Sequence, residues 1–385
     1  MKLTSEFAPQ MRRKSSTFTQ MLEFFLCVCV LWVASMVFYF VKRGALDGTM
    51  VIVNGLVSML CSVIADVLFN IPVLFDKSMS GNEKMKEYGY RIIHSYSYVT
   101  GLLLALLCPI GVKWWELAIS SFGATFITKL LFGGFGQNIM NPAVFGRVFM
   151  QLAFTSDLKT YIGTKPENWD ITTGASMTGF NNGYSKIMFN KGVSFGDLLI
   201  GNYFGTLGET FAVLLVLICV YLCVRKIIDW RTPVFYIGSL YLASVIMFLC
   251  SGDSYYSFKD ALSYIMVGGI MFGGVLCLTD PVTSPTSKSG RIMFALAAAL
   301  VTFSVRTFAR QPEAVAYSIL LVNLLTPLID KLVKGRTRQV LVPYIVMGGL
   351  SVLFIGLSVG FGLTHKIDIN TGDFVTALAS VKEVF

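Results

Sequence analysis

The run Leu22-Glu23-Phe24-Phe25-Leu26-Cys27-Val28-Cys29-Val30-Leu31-Trp32-Val33-Ala34-Ser35-Met36-Val37-Phe38-Tyr39-Phe40-Val41 carries one charge, Glu23, and no proline or glycine. A helix rises about 1.5 Å per residue, so the segment 20–41 is long enough to cross a hydrocarbon core of roughly 30 Å. Working outward, ten more apolar segments follow, at 50–73, 93–111, 114–132, 140–155, 206–224, 233–250, 262–279, 291–308, 313–330 and 340–361. The segment 140–155 is short and sits beside a re-entrant turn. Within lipid every backbone N–H and C=O needs an internal partner, which helices supply and open sheets do not. With 55% hydrophobic and 14% charged residues among 385, the chain is expected to be an all-α polytopic membrane protein of 10–11 transmembrane helices.

The net charge of +9 would suit nucleic acid or anionic lipid if it were clustered. Instead it follows helix parity. With the N-terminus inside, Arg12, Arg13 and Lys14 are cytoplasmic, as are Lys84 and Arg91, Lys226 and Arg231, Lys288 and Arg291, and Lys334 and Arg336. Short cytoplasmic loops are the ones enriched in Lys and Arg. The charge therefore reads as topology, with membrane lipid and no nucleic acid as the partner. The first run is too long for a signal peptide and lacks a small-residue cleavage site, so it reads as a span.

All eight cysteines lie in or at the ends of apolar segments, and only two histidines, His94 and His365, are present. No CxxC pair or Cys/His cluster has metal-ligand spacing, so no metal site and no histidine-centred catalysis are expected.

The chain divides into a polar tail (1–19), a first five-helix half (20–155), a long polar loop (156–205), a second five-helix half (206–332) and an extra C-terminal helix with its tail (333–385). Five helices per half reverse the orientation of the second half, which is the arithmetic of an inverted repeat with sites at the repeat interface. A faint echo accompanies it: Gly101 to Pro109 reads like Gly273 to Pro281.

Polar, glycine-rich segments interrupt the apolar pattern. In Gly133-Gly134-Phe135-Gly136-Gln137-Asn138-Ile139-Met140-Asn141-Pro142-Ala143, followed by Gly146-Arg147, glycines let the backbone turn sharply. The Asn and Gln amides can donate and accept together. The segment reads either as a turn between helices or as a ligand-lining loop. In Leu278-Thr279-Asp280-Pro281-Val282-Thr283, Asp280 reads either as a helix stop or as a carboxylate for a ring N–H or a cation. Glu209, in Gly205-Thr206-Leu207-Gly208-Glu209-Thr210, is either favoured by a helix N-terminus or an ion-coupling group. Asp66, inside an apolar segment, must pair, face water or carry an ion; Arg147 and Arg306 are candidate partners. Finally, Asp170-Ile171-Thr172-Thr173-Gly174-Ala175-Ser176 lies in the long loop, which helix parity places outside the cell.

Taken in order, Gly133–Ala143 with Gly146-Arg147, then Gly208-Glu209-Thr210, then Leu278–Thr283, then Arg306 to Asp330 resemble an integral membrane flavoprotein family. That family is shared by two ion-pumping complexes, the sodium-pumping NADH:quinone oxidoreductase (its B subunit) and the Rnf ferredoxin:NAD oxidoreductase (its D subunit). The resemblance covers roughly residues 8–332. The family attaches flavin at the pattern Asp, two residues, Ser or Thr, Gly, Ala, Thr. Here the matching positions are Asp170, Thr173, Gly174, Ala175 and Ser176, with serine standing where threonine is usual. The chain also departs at His94, where the family tends to have Asp, and beside Pro312-Glu313, where its glycines are replaced.

The resemblance implies a covalent FMN phosphoester on Ser176, placed there by a flavin transferase. It also implies a non-covalent riboflavin near Asn138, Asn141, Thr279 and Asp280. Asp66, Glu209 and Asp280 are the candidates for ion coupling. With about 19 residues before the first helix, the expectation is the Rnf-type subunit in the bacterial cytoplasmic membrane, partnered by other subunits of that complex. The alternatives are the B subunit of the sodium-pumping complex and, from another class, a flavin-free channel or secondary transporter for a small solute. No residue is expected to act as catalytic acid, base or nucleophile, because the flavin carries the redox chemistry.

Overall fold

A computed structural model describes residues 16–75, 80–154, 195–200, 205–209, 211–250, 258–308, 313–333 and 341–364. All regular structure among the described residues is helical. Helix α1 (Thr17–Lys42) starts at Ser16, whose Oγ accepts from the Thr19 N–H at 3.2 Å, and stops ahead of Gly44, at φ 103°. One of its faces buries Val28, Leu31, Ser35 and Phe38, while Leu26, Val30, Val33, Val37 and Val41 form an exposed apolar stripe. In a membrane protein such a stripe faces lipid.

Helix α2 (Ala45–Asn70) docks through a polar ladder. Asn54, Ser58, Ser62 and Asp66 recur every four residues and are all buried. Asn54 donates to the Ile110 carbonyl at 3.3 Å, Ser58 to Gly101 at 2.6 Å and Ser62 to Ser121 at 3.4 Å, while Asp66 accepts from Ser95 at 2.9 Å. The bonds to Gly101 and Ser121 fasten α2 to α4 (Ser97–Leu107) and α5 (Trp114–Thr125), and the other two reach the turn after α4 and Ser95 just ahead of it. A Cβ on Gly101 would lie 2.7 Å from the Met59 Cα, so glycine is what permits this close backbone approach. Between α2 and α4 runs the amphipathic α3 (Gly81–Ser95), opened by a capping box of Ser80 and Glu83.

The chain continues through α6 (Pro142–Ala153), α7 (Phe195–Ile200), α8 (Ala212–Val224), α9 (Arg231–Cys250), α10 (Phe258–Met266), the single turn α11 (Ile270–Phe272), α12 (Lys288–Thr307), α13 (Ala314–Val333) and α14 (Leu341–Thr364). Among the described residues six helices are long and apolar enough to span a bilayer: α1, α2 with its extension to Phe75, α9, α12, α13 and α14. The protein is thus a multi-pass membrane protein. The other five apolar segments are occupied by shorter helices. Glycine and proline at or near their ends, such as Pro109, Gly133, Pro142 and Gly268, break the helical run and turn the chain.

In the first half, α2 packs on both α4 and α5; in the second, α9 packs on the π turn after α11 and on α12. Of the two echoed stretches, the first ends as a helix at Leu107, two residues before Pro109, and the second as a π turn at Cys277, four residues before Pro281.

Candidate functional site

Two irregular segments meet inside the bundle. Helix α5 widens into a π turn at Phe126–Leu130, and α11 widens into another at Gly273–Cys277. Such bulges recur at functional sites. After the first, Gly133, Gly134 and Gly136 adopt φ of 114°, 91° and 94°, a left-handed path open to glycine at little cost. Asn141 then caps α6, its Oδ1 accepting from the N–H of Ala143 (3.0 Å) and Val144 (3.4 Å). Its Nδ2 donates to the Cys277 carbonyl at 3.0 Å, joining the two segments across 136 positions of sequence.

The junction walls a cavity of about 110 Å³, lined by Asn138, Asn141, Thr279 and Asp280 together with Tyr96, Lys129, Phe135, Leu103 and Leu276. The four polar residues named first do not behave alike. Asn141 serves the frame, as above. Thr279 donates to the Val275 carbonyl at 2.6 Å, and Asp280 accepts from the Val282 N–H at 3.2 Å and the Thr283 hydroxyl at 3.4 Å. Asn138 differs: its side-chain carbonyl oxygen is buried with no hydrogen-bond partner. An unmet buried acceptor is costly unless a ligand or water supplies a donor. Apolar and aromatic walls, an open amide and a nearby ammonium fit the ring system of a flavin.

Lys129 and Tyr96 also line this cavity, and sequence reasoning did not single them out. Tyr96 holds the left-handed conformation at φ 54° where α3 meets α4, and its ring packs edge-on against Phe135 at 4.7 Å. Lys129 is only 1% exposed. It donates to the Ser95 carbonyl and to the Ser97 hydroxyl, the latter at 2.9 Å. Because Ser95 also donates to Asp66, and Asp66 and Asp280 both act electrostatically on the ammonium, Lys129 joins the α2 carboxylate to the cavity wall. Neither arginine pairs with Asp66. Arg147 pairs with Glu313, and Arg306 donates to the carbonyls of Tyr264 (2.9 Å) and Val267 (2.5 Å). A charge within an apolar segment is the signal that marks Lys129, as it marks Asp66.

Glu209 lies elsewhere, in the 3₁₀ turn Leu207–Glu209, where it lines a second, smaller cavity with Arg147 and Glu313. The positions Asp170, Thr173, Gly174, Ala175 and Ser176 lie outside the described residues. No metal-binding cluster of His, Cys, Asp or Glu occurs among the described residues.

In an adjoining open pocket that shares Ile228 and Thr279 with the first cavity, Asp229 accepts from Arg291 at 2.6 Å and from Arg231 at 3.1 Å. Burial alone would push its carboxyl up, but the Arg231 N–H and the two guanidiniums outweigh that and hold it below the usual carboxylate range. A depressed folded-state value adds stability above the unfolded value of about 3.9, and that stability is lost as pH falls through the lower folded value. Thermal unfolding of wild type and Asp229→Asn should therefore differ at pH 6 and converge as the pH is taken below about 4. A constant difference would show that the cluster does not titrate this way.

Comparison with known proteins matches residues 4–339 to the NQR2, RnfD, RnfE family. The D subunit of the proton-translocating ferredoxin:NAD(+) oxidoreductase complex of Clostridium ljungdahlii is 35% identical over 265 residues, covering 67% of this chain and 79% of that protein. The D subunit of the Na(+)-translocating ferredoxin:NAD(+) oxidoreductase complex of Acetobacterium woodii is 34% identical over 241 residues, covering 62% and 71%. The D subunit of an ion-translocating oxidoreductase complex of Stutzerimonas stutzeri is 32% identical over 272 residues, covering 64% and 76%.

Proposed function

The chain belongs to the NQR2, RnfD, RnfE family, and from that premise we propose that it is the flavin-carrying membrane subunit of an Rnf-type ion-translocating oxidoreductase. Its partners are the other subunits of that complex, which connect it to ferredoxin and NAD chemistry. In this reading it lies in the bacterial cytoplasmic membrane with the N-terminus inside and the Ser176 loop outside. A flavin transferase attaches FMN at Ser176. The Ser176 O–H is replaced by an O–P bond, the transferase taking the phosphoflavin from a dinucleotide donor and releasing the remaining mononucleotide and a proton.

The observation that carries the reading is the unmet acceptor of Asn138 in a cavity lined from both π turns. A bound riboflavin would supply reversible electron transfer there. Asn138 would accept from a ring N–H, Phe135 and Tyr96 would bound the ring, and Lys129 would set a positive charge beside it. Asn141 holds the two walls together, and Asp280 keeps its turn closed while presenting negative charge to the mouth.

Replacing Asn138 by leucine tests this. In the empty protein the change removes an unpaired buried acceptor, so thermal stability should hold or rise. Retention of the extractable flavin should fall about tenfold, the loss of one hydrogen bond of roughly 1.4 kcal/mol. Unchanged flavin retention in Asn138→Leu would remove the residue from the site.

A further inference from the structure

The open pocket beside the first cavity gathers basic residues from two distant parts of the chain. Lys226 and Arg231 come from the turn between α8 and α9, and Lys288 and Arg291 from the first turn of α12. Around a space of about 720 Å³ these four share one acid, Asp229. Asp229 joins the two regions across 62 positions, accepting from Arg291 Nη1 at 2.6 Å and from Arg231 Nη1 at 3.1 Å. The Pro285 carbonyl accepts from Arg291 Nε at 3.0 Å. Short cytoplasmic loops are rich in Lys and Arg for topological reasons, but that rule does not bring four of them around one space.

Other acids at this end of the bundle are engaged elsewhere. Glu23 pairs with Arg225, and Asp330 accepts from the Thr286 N–H at 3.2 Å and its hydroxyl at 3.3 Å. The stretches of chain that lead into this end are themselves basic. Residues 1–15, ahead of α1, hold Lys2, Arg12, Arg13 and Lys14 against Glu6, and 334–340, ahead of α14, hold Lys334, Arg336 and Arg338 with no acid. Between α2 and α3, Asp76 is matched by Lys77. The pocket therefore attracts an anion from outside the chain.

Its position says which kind. Helices α9 and α12, both long enough to cross a bilayer, start at the pocket, and α8 ends at it with Cys223 in the wall. Half-exposed Trp230 also lines it, with the Arg231 guanidinium 5.1 Å from its ring centre. Tryptophan favours the headgroup level of a membrane. Running away from the pocket, Val213, Val216, Leu217, Val220 and Val224 form one exposed apolar face of α8. The 13 residues of that helix rise about 20 Å, enough to accompany an acyl chain through one leaflet, half of a core of roughly 30 Å. A soluble anion would use the cations and leave that face bare, whereas an acidic lipid uses both.

We propose that the pocket binds the phosphate headgroup of an anionic phospholipid, whose acyl chains lie along the exposed face of α8. Lys226, Arg231, Lys288 and Arg291 attract the phosphate, and Asp229 is the positioning residue that holds the two guanidiniums together. Basic pockets between membrane helices take acidic headgroups in this way. The site stands independently of any flavin.

Photolabelling of the intact complex tests this. It is reconstituted in phosphatidylcholine vesicles carrying a trace of photoactivatable phosphatidylglycerol or, in parallel, of photoactivatable phosphatidylcholine, and labelled peptides are mapped by mass spectrometry. The acidic lipid should label residues 213–230 strongly and the zwitterionic one weakly. Lys226→Gln combined with Lys288→Gln should lower that labelling about thirtyfold, the effect of two lysines near an anionic headgroup. Lys226→Arg combined with Lys288→Arg keeps both charges and should preserve it. Labelling of the other lipid-facing helices should be the same in all three proteins, which shows that the variants are folded. Equal labelling of 213–230 by the two lipids, or labelling indifferent to the glutamine pair, would overturn the proposal. Labelling lost in inorganic phosphate but kept in chloride of equal ionic strength would give the pocket to a soluble phosphate compound instead. Absence of label on α8 beside normal labelling elsewhere would show that a protein subunit covers the pocket, which equally defeats the lipid site.

Discussion

Replacing Lys129 by methionine should destabilise the protein by about 1–3 kcal/mol, the usual cost of leaving buried hydrogen-bonding groups without their partner. Both charges are buried, with Asp66 and Lys129 each 1% exposed. The ammonium also satisfies the Ser95 carbonyl and the Ser97 hydroxyl at the junction of α3 and α4. Its loss should therefore loosen the Tyr96 wall of the cavity as well as strand the carboxylate. Lys129→Met combined with Asp66→Asn should recover part of the loss, because the second change removes the charge left behind. Thermal unfolding in detergent measures both effects. Equal stability for wild type and the single variant would show that the Lys129–Ser95–Asp66 linkage is not what holds α2 to this wall.

Changing Ser176 to alanine should abolish covalent flavin altogether, since alanine has no oxygen to form the phosphoester. Ser176→Thr should retain it, threonine being the residue usual at that position in the family. On a denaturing gel under ultraviolet light, after co-expression with a flavin transferase, the wild-type and threonine bands should fluoresce and the alanine band should be dark. Fluorescence that persists in Ser176→Ala would move the attachment to a neighbouring hydroxyl such as Thr173 or Thr178. The side chain acts here as a point of attachment, so Ser176→Ala should leave the extractable flavin in place.

The fold class was legible because bilayer thickness sets the length of an apolar run, and segments such as 20–41 and 340–361 meet it without a break. The shorter helices were less legible. Hydropathy carries across 114–132, yet the structure ends α5 at Thr125 and widens the chain into a π turn. That widening is a backbone event, visible only through the packing of α2 and α6 on it. Asn138, Asn141, Thr279 and Asp280 stand out as polar residues in apolar surroundings, and they do line one cavity. Their division of labour does not stand out, because it depends on the Asn141–Cys277 bond between distant segments. Pairing is hidden for the same reason: Arg147 and Glu313 are 166 positions apart, and nothing local in either motif names the other. Lys129 is easily passed over inside an apolar stretch, although the rule that flags Asp66 applies to it equally.

Flavin stoichiometry tests the central claim most directly. The chain is purified with its transferase co-expressed, and flavin is quantified before and after denaturation and extraction. The account predicts two flavins per chain, one released as riboflavin and one remaining on the polypeptide. A preparation of the intact, folded protein with no flavin in either fraction would contradict it.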